Sequence, residues 1–150
     1  MDKPIKAKVR TASPRDLSPV LGVDHLREEL KRQRDVRQAI EEERCWLAEA
    51  DGQVVGYAVV DECFFGNAFI RLIVVAAPFR RRGIGTALMR NVESIFVGRK
   101  LFTSTNESNV ASQRLMESRG FRRSGAIQNL DEGDPEIVYF KPVEVTPESN

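Results

Sequence analysis

The 150-residue sequence predicts an α/β (α+β) fold, a mixed sheet of about seven strands flanked by about four helices. Three observations carry this. Short alternating runs and longer runs with helical spacing follow one another in the order β-α-α-β-β-β-α-β-α-β-β. Asp51-Gly52 stands between two of the short runs as a hairpin turn, because both residues tolerate positive φ. Leu72-Ile73-Val74-Val75 is apolar on both faces, as in a central strand, and leads within a few residues into a glycine-led helix.

Each element has its own signal. Ile5 to Arg10 alternates apolar and basic residues and reads as the first strand. Ser13-Pro14 offers an N-cap and then proline at the first helical position, starting a short helix to about Leu21. Asp24 to Arg44 is expected as a charged helix capped by Asp24, with Leu26, Leu30, Val36 and Ile40 as an intermittent apolar stripe. Cys45 to Ala50 and Val54 to Cys63 flank the Asp51-Gly52 turn, and Asn67 to Ala76 follows a Phe64-Phe65-Gly66-Asn67 turn. Pro78 breaks that strand. Gly83 to about Phe96 reads as a helix with Ile84, Leu88, Val92 and Ile95 on one face, and Leu101 to Thr105 as a buried strand. Ser108 can cap a helix from Asn109 to Ser118, which Gly120 ends as the residue past the C-cap. Phe121 to Gln128 and Ile137 to Lys141 are the last strands, around an acidic loop. A single domain is expected over 1–150, with its core at about 5–141 and loose ends at Met1 to Pro4 and Pro142 to Asn150.

Composition excludes several functions. Lys plus Arg (23) nearly balances Asp plus Glu (22), so no overall field recruits nucleic acid or a membrane surface. No apolar run approaches the roughly 20 residues that cross a bilayer. Met1-Asp2-Lys3-Pro4 opens no signal-peptide stretch, so a cytoplasmic location is expected. Cys45 and Cys63 stand too far apart for a CxxC pair and are expected as small buried or half-buried strand residues. With His25 the sole histidine, expected to be exposed, no Cys/His metal set is foreseen. A Ser-His-Asp hydrolase would have to use that one histidine.

The segment that carries chemistry is Arg80-Arg81-Arg82-Gly83-Ile84-Gly85-Thr86. A central strand ends just before it and a helix opens at Gly83. Glycines without side chains let backbone N–H groups approach an anion, the helix start supplies unpaired donors, and three arginines add charge. This is a cradle for a pyrophosphate. A dinucleotide fingerprint is not met, because Leu88 stands where the third glycine belongs, and no Lys-Ser or Lys-Thr pair completes an ATP P-loop.

At these residues the sequence resembles the GCN5-related N-acetyltransferase (GNAT) superfamily, whose cofactor motif [RQ]-x-x-G-x-[GA] is matched by Arg80, Gly83 and Gly85. Ile73-Val74-Val75-Ala76-Ala77-Pro78-Phe79 is similar to the family's strand and turn before that motif, with the proline one place later than usual. Asn109, Leu115, Gly120 and Phe121 match the spacing of a second family block. The resemblance implies a mostly antiparallel central sheet and acetyl-coenzyme A (acetyl-CoA) as cosubstrate, with no metal. Backbone groups of Ile73, Val74 and Val75 would pair with the pantetheine amides, where the strand usually splays from its neighbour at a bulge. Amides from Arg81 through Thr86 (Arg81, Arg82, Gly83, Ile84, Gly85, Thr86), beside Arg80, would hold the pyrophosphate, and Asn109 with Ser112 would face the pantetheine.

The implied reaction is direct attack by an amine of a small molecule, peptide or protein on the thioester, in a ternary complex. A backbone N–H near Val75 would stabilise the oxyanion. A lysine-like amine is neutral in only roughly one molecule in 2,500 at pH 7, so a proton acceptor is needed. Glu62, beside Asp61, is the candidate carboxylate. Many family members place a tyrosine acid seven residues after the asparagine; here that position is Met116, so that Tyr139 or water supplies the proton, or the thiolate leaves unaided. Arg71 points either at an acidic acceptor group or at solvent. The four acids of Asp131-Glu132-Gly133-Asp134-Pro135-Glu136 form either a solvated turn or a rim for a cationic acceptor. The alternatives are a non-catalytic acyl-CoA-binding module and a nucleotide-phosphate binder of another fold. A homodimer, common among similar proteins, is a further expectation.

Overall fold

The computed structural model describes residues 3–143; the outer parts of the two expected loose ends, 1–2 and 144–150, lie outside the described residues. The strands are β1 (Lys8–Thr11), β2 (Cys45–Ala50), β3 (Gln53–Phe64), β4 (Asn67–Val75), β5 (Leu101–Asn106), β6 (Arg122–Ile127) and β7 (Glu136–Lys141). The helices are α1 (Leu17–Gly22), α2 (Leu30–Glu41), α3 (Ile84–Ile95) and α4 (Val110–Ser118), with 3₁₀ turns at Pro14–Asp16 and Ala77–Phe79. The sheet has seven strands in the order β1-β2-β3-β4-β5-β7-β6, so β4 is central as its apolar run requires. β4 and β5 run parallel, whereas β1 with β2, β2 with β3, β5 with β7 and β6 with β7 run antiparallel. Element types and their order follow the sequence expectation. The chain packs as two compact units, residues 1–61 with 71–92, and 62–70 with 93–150. β3, β4 and α3 contribute to both.

In the first unit the β2–β3 hairpin turns at Asp51 and Gly52, whose φ values of 50 and 77° are those of a type I′ turn. β1 begins at Lys8 rather than at Ile5, because the Ile5 amide is taken by Arg82 O (2.9 Å) and not by a neighbouring strand. Ser13 donates from both N and Oγ to the Asp16 carboxylate, which opens the turn into α1. Arg10 joins Asp16 (2.8 Å) to Glu49 (2.7 Å), tying β1, that turn and β2 together. Val20, Val36, Ile40, Leu47, Tyr57 and Val59 form the core, and Leu72 and Val74 of β4 pack against it.

The expected helix over Asp24 to Arg44 is shorter. It starts at Leu30, behind Glu29, and Leu30 is 71% exposed rather than part of an apolar stripe. Asp24 does not cap α2. Its carboxylate is fully buried and accepts from Leu26 N (2.9 Å), Arg32 Nη1 (2.6 Å) and the Tyr57 hydroxyl (2.7 Å). Leaving residues 24–29 out of the helix lets the acid reach two partners that neutralise and solvate it. His25 is exposed, 3.7 Å from the same carboxylate.

Gly56 on β3 positions the functional segment. A Cβ there would stand 2.9 Å from Val74 O, 3.0 Å from Ile84 Cγ2 and 3.3 Å from Leu88 Cδ1. The first two turns of α3 therefore rest on bare backbone of β3, close behind the end of β4. An isolated glycine within a strand pattern is the sequence signal for such an approach.

In the second unit the β3–β4 turn is again type I′, with Phe65 and Gly66 at φ 52 and 80°. Parallel pairing of β4 with β5 covers Ala68–Ile70 against Leu101–Thr103, and the Thr103 hydroxyl donates to Ile70 O at 3.1 Å. Asn109, not Ser108, is the N-cap of α4, because its Oδ1 accepts from Ser112 N at 3.1 Å while Ser108 is engaged by Asp134. Gly120 ends the helix at φ 84° as expected. Glu93 holds both Arg119 (2.9 Å) and Lys141.

Two stability predictions follow from the first unit. Gly56→Ala forces a methyl group against a carbonyl that cannot rotate away, and urea unfolding should show a loss of about 1–3 kcal/mol. An unchanged midpoint would contradict the close approach. Burial alone pushes the Asp24 carboxyl up, but the Leu26 amide, Tyr57 and Arg32 outweigh it and hold it below the ordinary aspartate range. The group binds its proton more weakly in the folded than in the unfolded chain. Its contribution is therefore complete above pH ~4 and is lost as pH falls through the lower folded value. Asp24→Asn should cost about 3 kcal/mol at pH 7, and the deficit should shrink on acidification.

Candidate functional site

The site is built from the end of β4 upward. Leu72 and Val74 point into the core, which by strand alternation places Ile73 and Val75 on the opposite face. All four are half-buried rather than buried, although their composition predicted a strand covered on both sides. Ala76 N donates to Val55 O at 2.8 Å, the last bond before the chain leaves the sheet. Pro78 then sits in the 3₁₀ turn, closed by Phe79 N to Ala76 O at 2.8 Å.

The following turn is backbone-strained. Arg81 has φ 61° and Gly83 has φ 88°. Open space surrounds the place where a Gly83 Cβ would stand, so glycine is required there by the left-handed backbone and not by crowding. Ile84, 1% exposed, anchors the first residue of α3 in the core. Gly83 O accepts from Ala87 N at 3.0 Å, the first bond of the helix. The amides of Ile84, Gly85 and Thr86 thus lie at the open, positive end of α3.

The three arginines are not equivalent. Arg80 and Arg81 are exposed, and Arg80 Nε donates to Val75 O at 3.3 Å. Arg82 is half-buried, with its Nε donating to Lys3 O at 3.1 Å. Among the described residues no carboxylate is ion-paired with any of the three. The turn is a concentration of positive charge beside amides that have no backbone partner among the described residues, chemically suited to a diphosphate. An open depression of about 750 Å³ borders it, with Val54, Ala76, Pro78 and Phe79 on its apolar wall and His25, Arg27 and Arg80 on its rim.

The remaining expected residues lie in the second unit. Asn109 uses its carbonyl oxygen as the α4 cap, which leaves its amide nitrogen for other partners; Ser112 is half-buried one turn on. Met116 is 5% exposed and packs in the core, where it has no proton to give. Tyr139 is fully buried and its hydroxyl lies 3.4 Å from Glu117 Oε1. Burial pushes the phenol up and Glu117 adds to this, against the opposing effect of Arg123. Glu62 is exposed and ion-paired with Arg99.

Neither alternative for Arg71 describes it fully, because in the first unit it pairs with Asp61 at 2.5 Å. The acidic loop is held by its own neighbours. Asp131 accepts from Asn106 (2.8 Å), Asp134 from Ser108 (2.6 Å) and Glu136 from Ser104 (2.8 Å). Cys45 is buried as expected, with burial pushing its thiol up to about 12, whereas Cys63 is exposed because it falls near the end of its strand at the β3–β4 turn. Among the described residues no cluster of three or more His, Cys, Asp or Glu side chains is placed to hold a metal ion.

Sequence reasoning located the turn and both its glycines but missed Gly56, the N-terminal contacts of Arg82 and the buried Asp24. Gly56 had a signal in its isolation within a strand. The other two are long-range contacts with no local pattern.

Comparison with known proteins agrees with this geometry. The model of the acetyltransferase (GNAT) family matches residues 14–121. An uncharacterized N-acetyltransferase of Methanocaldococcus jannaschii is 30% identical over 101 residues; the match spans 64% of this chain and 64% of that relative's length. A GNAT-family acetyltransferase from Bacillus cereus has a similar crystal structure, with TM-score 0.83 and 33% identity over 93% of this chain and 99% of its own. A Bacillus anthracis protein assigned as a streptothricin acetyltransferase, solved with acetyl coenzyme A, shares the fold at TM-score 0.77 and 17% identity, over 93% of this chain and 100% of its own. With its central strand delivered into a glycine-arginine turn at the head of α3, this chain belongs to the acetyltransferase (GNAT) family.

Proposed function

We propose that the chain is an acetyl-CoA-dependent N-acetyltransferase that acts on an amine of a small molecule, peptide or protein by direct attack in a ternary complex. The observation that carries the reading is the strained turn from Arg80 to Gly83, which opens onto the unpaired amides of Ile84, Gly85 and Thr86. Family membership and the acetyl-CoA bound to the Bacillus anthracis relative support it. Among the described residues no helix is long and apolar enough to cross a membrane. A cytoplasmic location is proposed on the sequence alone. A homodimer is proposed on the resemblance alone.

Acetyl-CoA supplies an acyl group activated as a thioester; the residues of this chain bind and orient. The amides of residues 81–86 and the exposed Arg80 and Arg81 take the diphosphate. The backbone of Ile73, Val74 and Val75 takes the amide-rich arm, and a Val75 amide is the proposed donor to the carbonyl oxygen. Asn109, through its amide nitrogen, and Ser112 are the proposed side-chain contacts from α4. Glu62 is the proposed proton acceptor and Tyr139 the proposed acid, although Glu62 is held by Arg99 and the Tyr139 hydroxyl by Glu117.

Those engagements, together with Met116, favour a second reading in which the chain binds acyl-CoA without turning it over. Thiol release from acetyl-CoA with a panel of primary amines separates the two. Turnover above the no-amine background is expected; CoA binding without turnover would select the binding module.

Calorimetry should show heat of association with coenzyme A, and Gly83→Ala should weaken it about tenfold by disfavouring the left-handed turn. No heat with folded wild-type protein would remove the assignment. For a lysine-like amine, kcat/KM should rise about tenfold per pH unit wherever the neutral amine is the limiting species. A plateau that Glu62→Gln abolishes would assign the proton to Glu62; a slope the substitution leaves untouched would release Glu62 from that role.

A further inference from the structure

The segment before the first strand contacts the phosphate turn and not the sheet. β1 begins at Lys8, yet Ile5 N donates to Arg82 O at 2.9 Å and Arg82 Nε donates to Lys3 O at 3.1 Å. The Arg82 guanidinium also lies 6.0 Å from the centroid of the Phe79 ring, on the opposite limb of the same turn. The carbonyl oxygen and the side chain of Arg82 are therefore both committed to neighbours. The flanking residues explain why support is needed there. Arg82 follows Arg81 (φ 61°), and a non-glycine residue in the left-handed region persists only where its surroundings fix it.

We propose that residues Lys3–Ile5 are a positioning element of the cofactor site. They brace the diphosphate-binding turn through Arg82, and the Arg82 guanidinium acts through that brace instead of serving as a phosphate ligand. Arg80 and Arg81, exposed and without acidic partners among the described residues, are the two guanidinium groups that reach the anion. This rests on the acetyl-CoA reading above.

A double-mutant cycle on coenzyme A affinity, measured by calorimetry, tests it. Deleting residues 2–5 removes both hydrogen bonds and should weaken binding about tenfold or more. Arg82→Ala removes the bond to Lys3 O but leaves its backbone carbonyl for Ile5 N, so it should weaken binding by up to about tenfold, and the combined variant should lose no more than the deletion alone. Arg82→Lys keeps a donor for Lys3 O and should recover most of the loss. In steady state the change should fall on the KM for acetyl-CoA and leave the KM for the amine in place. Ile5→Pro removes the amide donor without shortening the chain and repeats the test if the deletion does not fold. Losses that multiply to about a hundredfold, or an affinity within twofold of wild type after deletion, overturn the proposal and leave the cofactor reading standing. Wild-type protein that binds no coenzyme A overturns both.

Discussion

The contact on which the first unit depends is that between the bare backbone at Gly56 and the first two turns of α3. A helix start presents its amides usefully only if it is held at a fixed height above the strand that feeds it. Here Ile84 and Leu88 lie within contact of the position a Cβ would take, and Val74 O closes the third side. Apolar burial of Ile84 and Leu88 holds the helix down, and the missing side chain sets how far down. The open amides, the left-handed turn and the end of β4 take their relative places from that one approach.

Charge is distributed unevenly over this scaffold. Arg10, Arg32 and Arg44 are each bound to carboxylates, while Arg80 and Arg81 have no such partner among the described residues. Ion pairs at the surface contribute little stability, so an unpaired arginine costs the fold little and keeps its electrostatic attraction for an incoming anion. The buried Asp24 obeys the opposite rule. Its position away from water is tolerable only because three donors converge on it, and the run of turns between α1 and α2 is the geometric result.

Much of this was legible from the residues in order. Asp51-Gly52 announced its hairpin, Pro78 the end of β4, Gly120 the end of α4, and the Arg80–Thr86 run the turn that leads into α3. These are local signals, set by which residues accept positive φ or lack a donor. What was not legible depends on partners distant in sequence. Asp24 reads as a helix cap until Tyr57 is brought over it, and Ile5 reads as a strand until its amide meets Arg82. The candidate proton-transfer groups were the least legible, because Glu62 and Tyr139 look available in a sequence and are engaged by Arg99 and Glu117 in the fold.

The two cysteines acquire sharply different reactivities from their positions. Cys45 is fully buried, with its thiol pushed up to about 12, so it resists alkylation and oxidation while the protein stays folded. Cys63 is open to solvent, where a reagent can reach its sulfur. A maleimide dye would therefore settle on the second unit alone and leave a single spectroscopic reporter. By the same token, reagents that titrate liberated CoA would also count one sulfhydryl from every polypeptide.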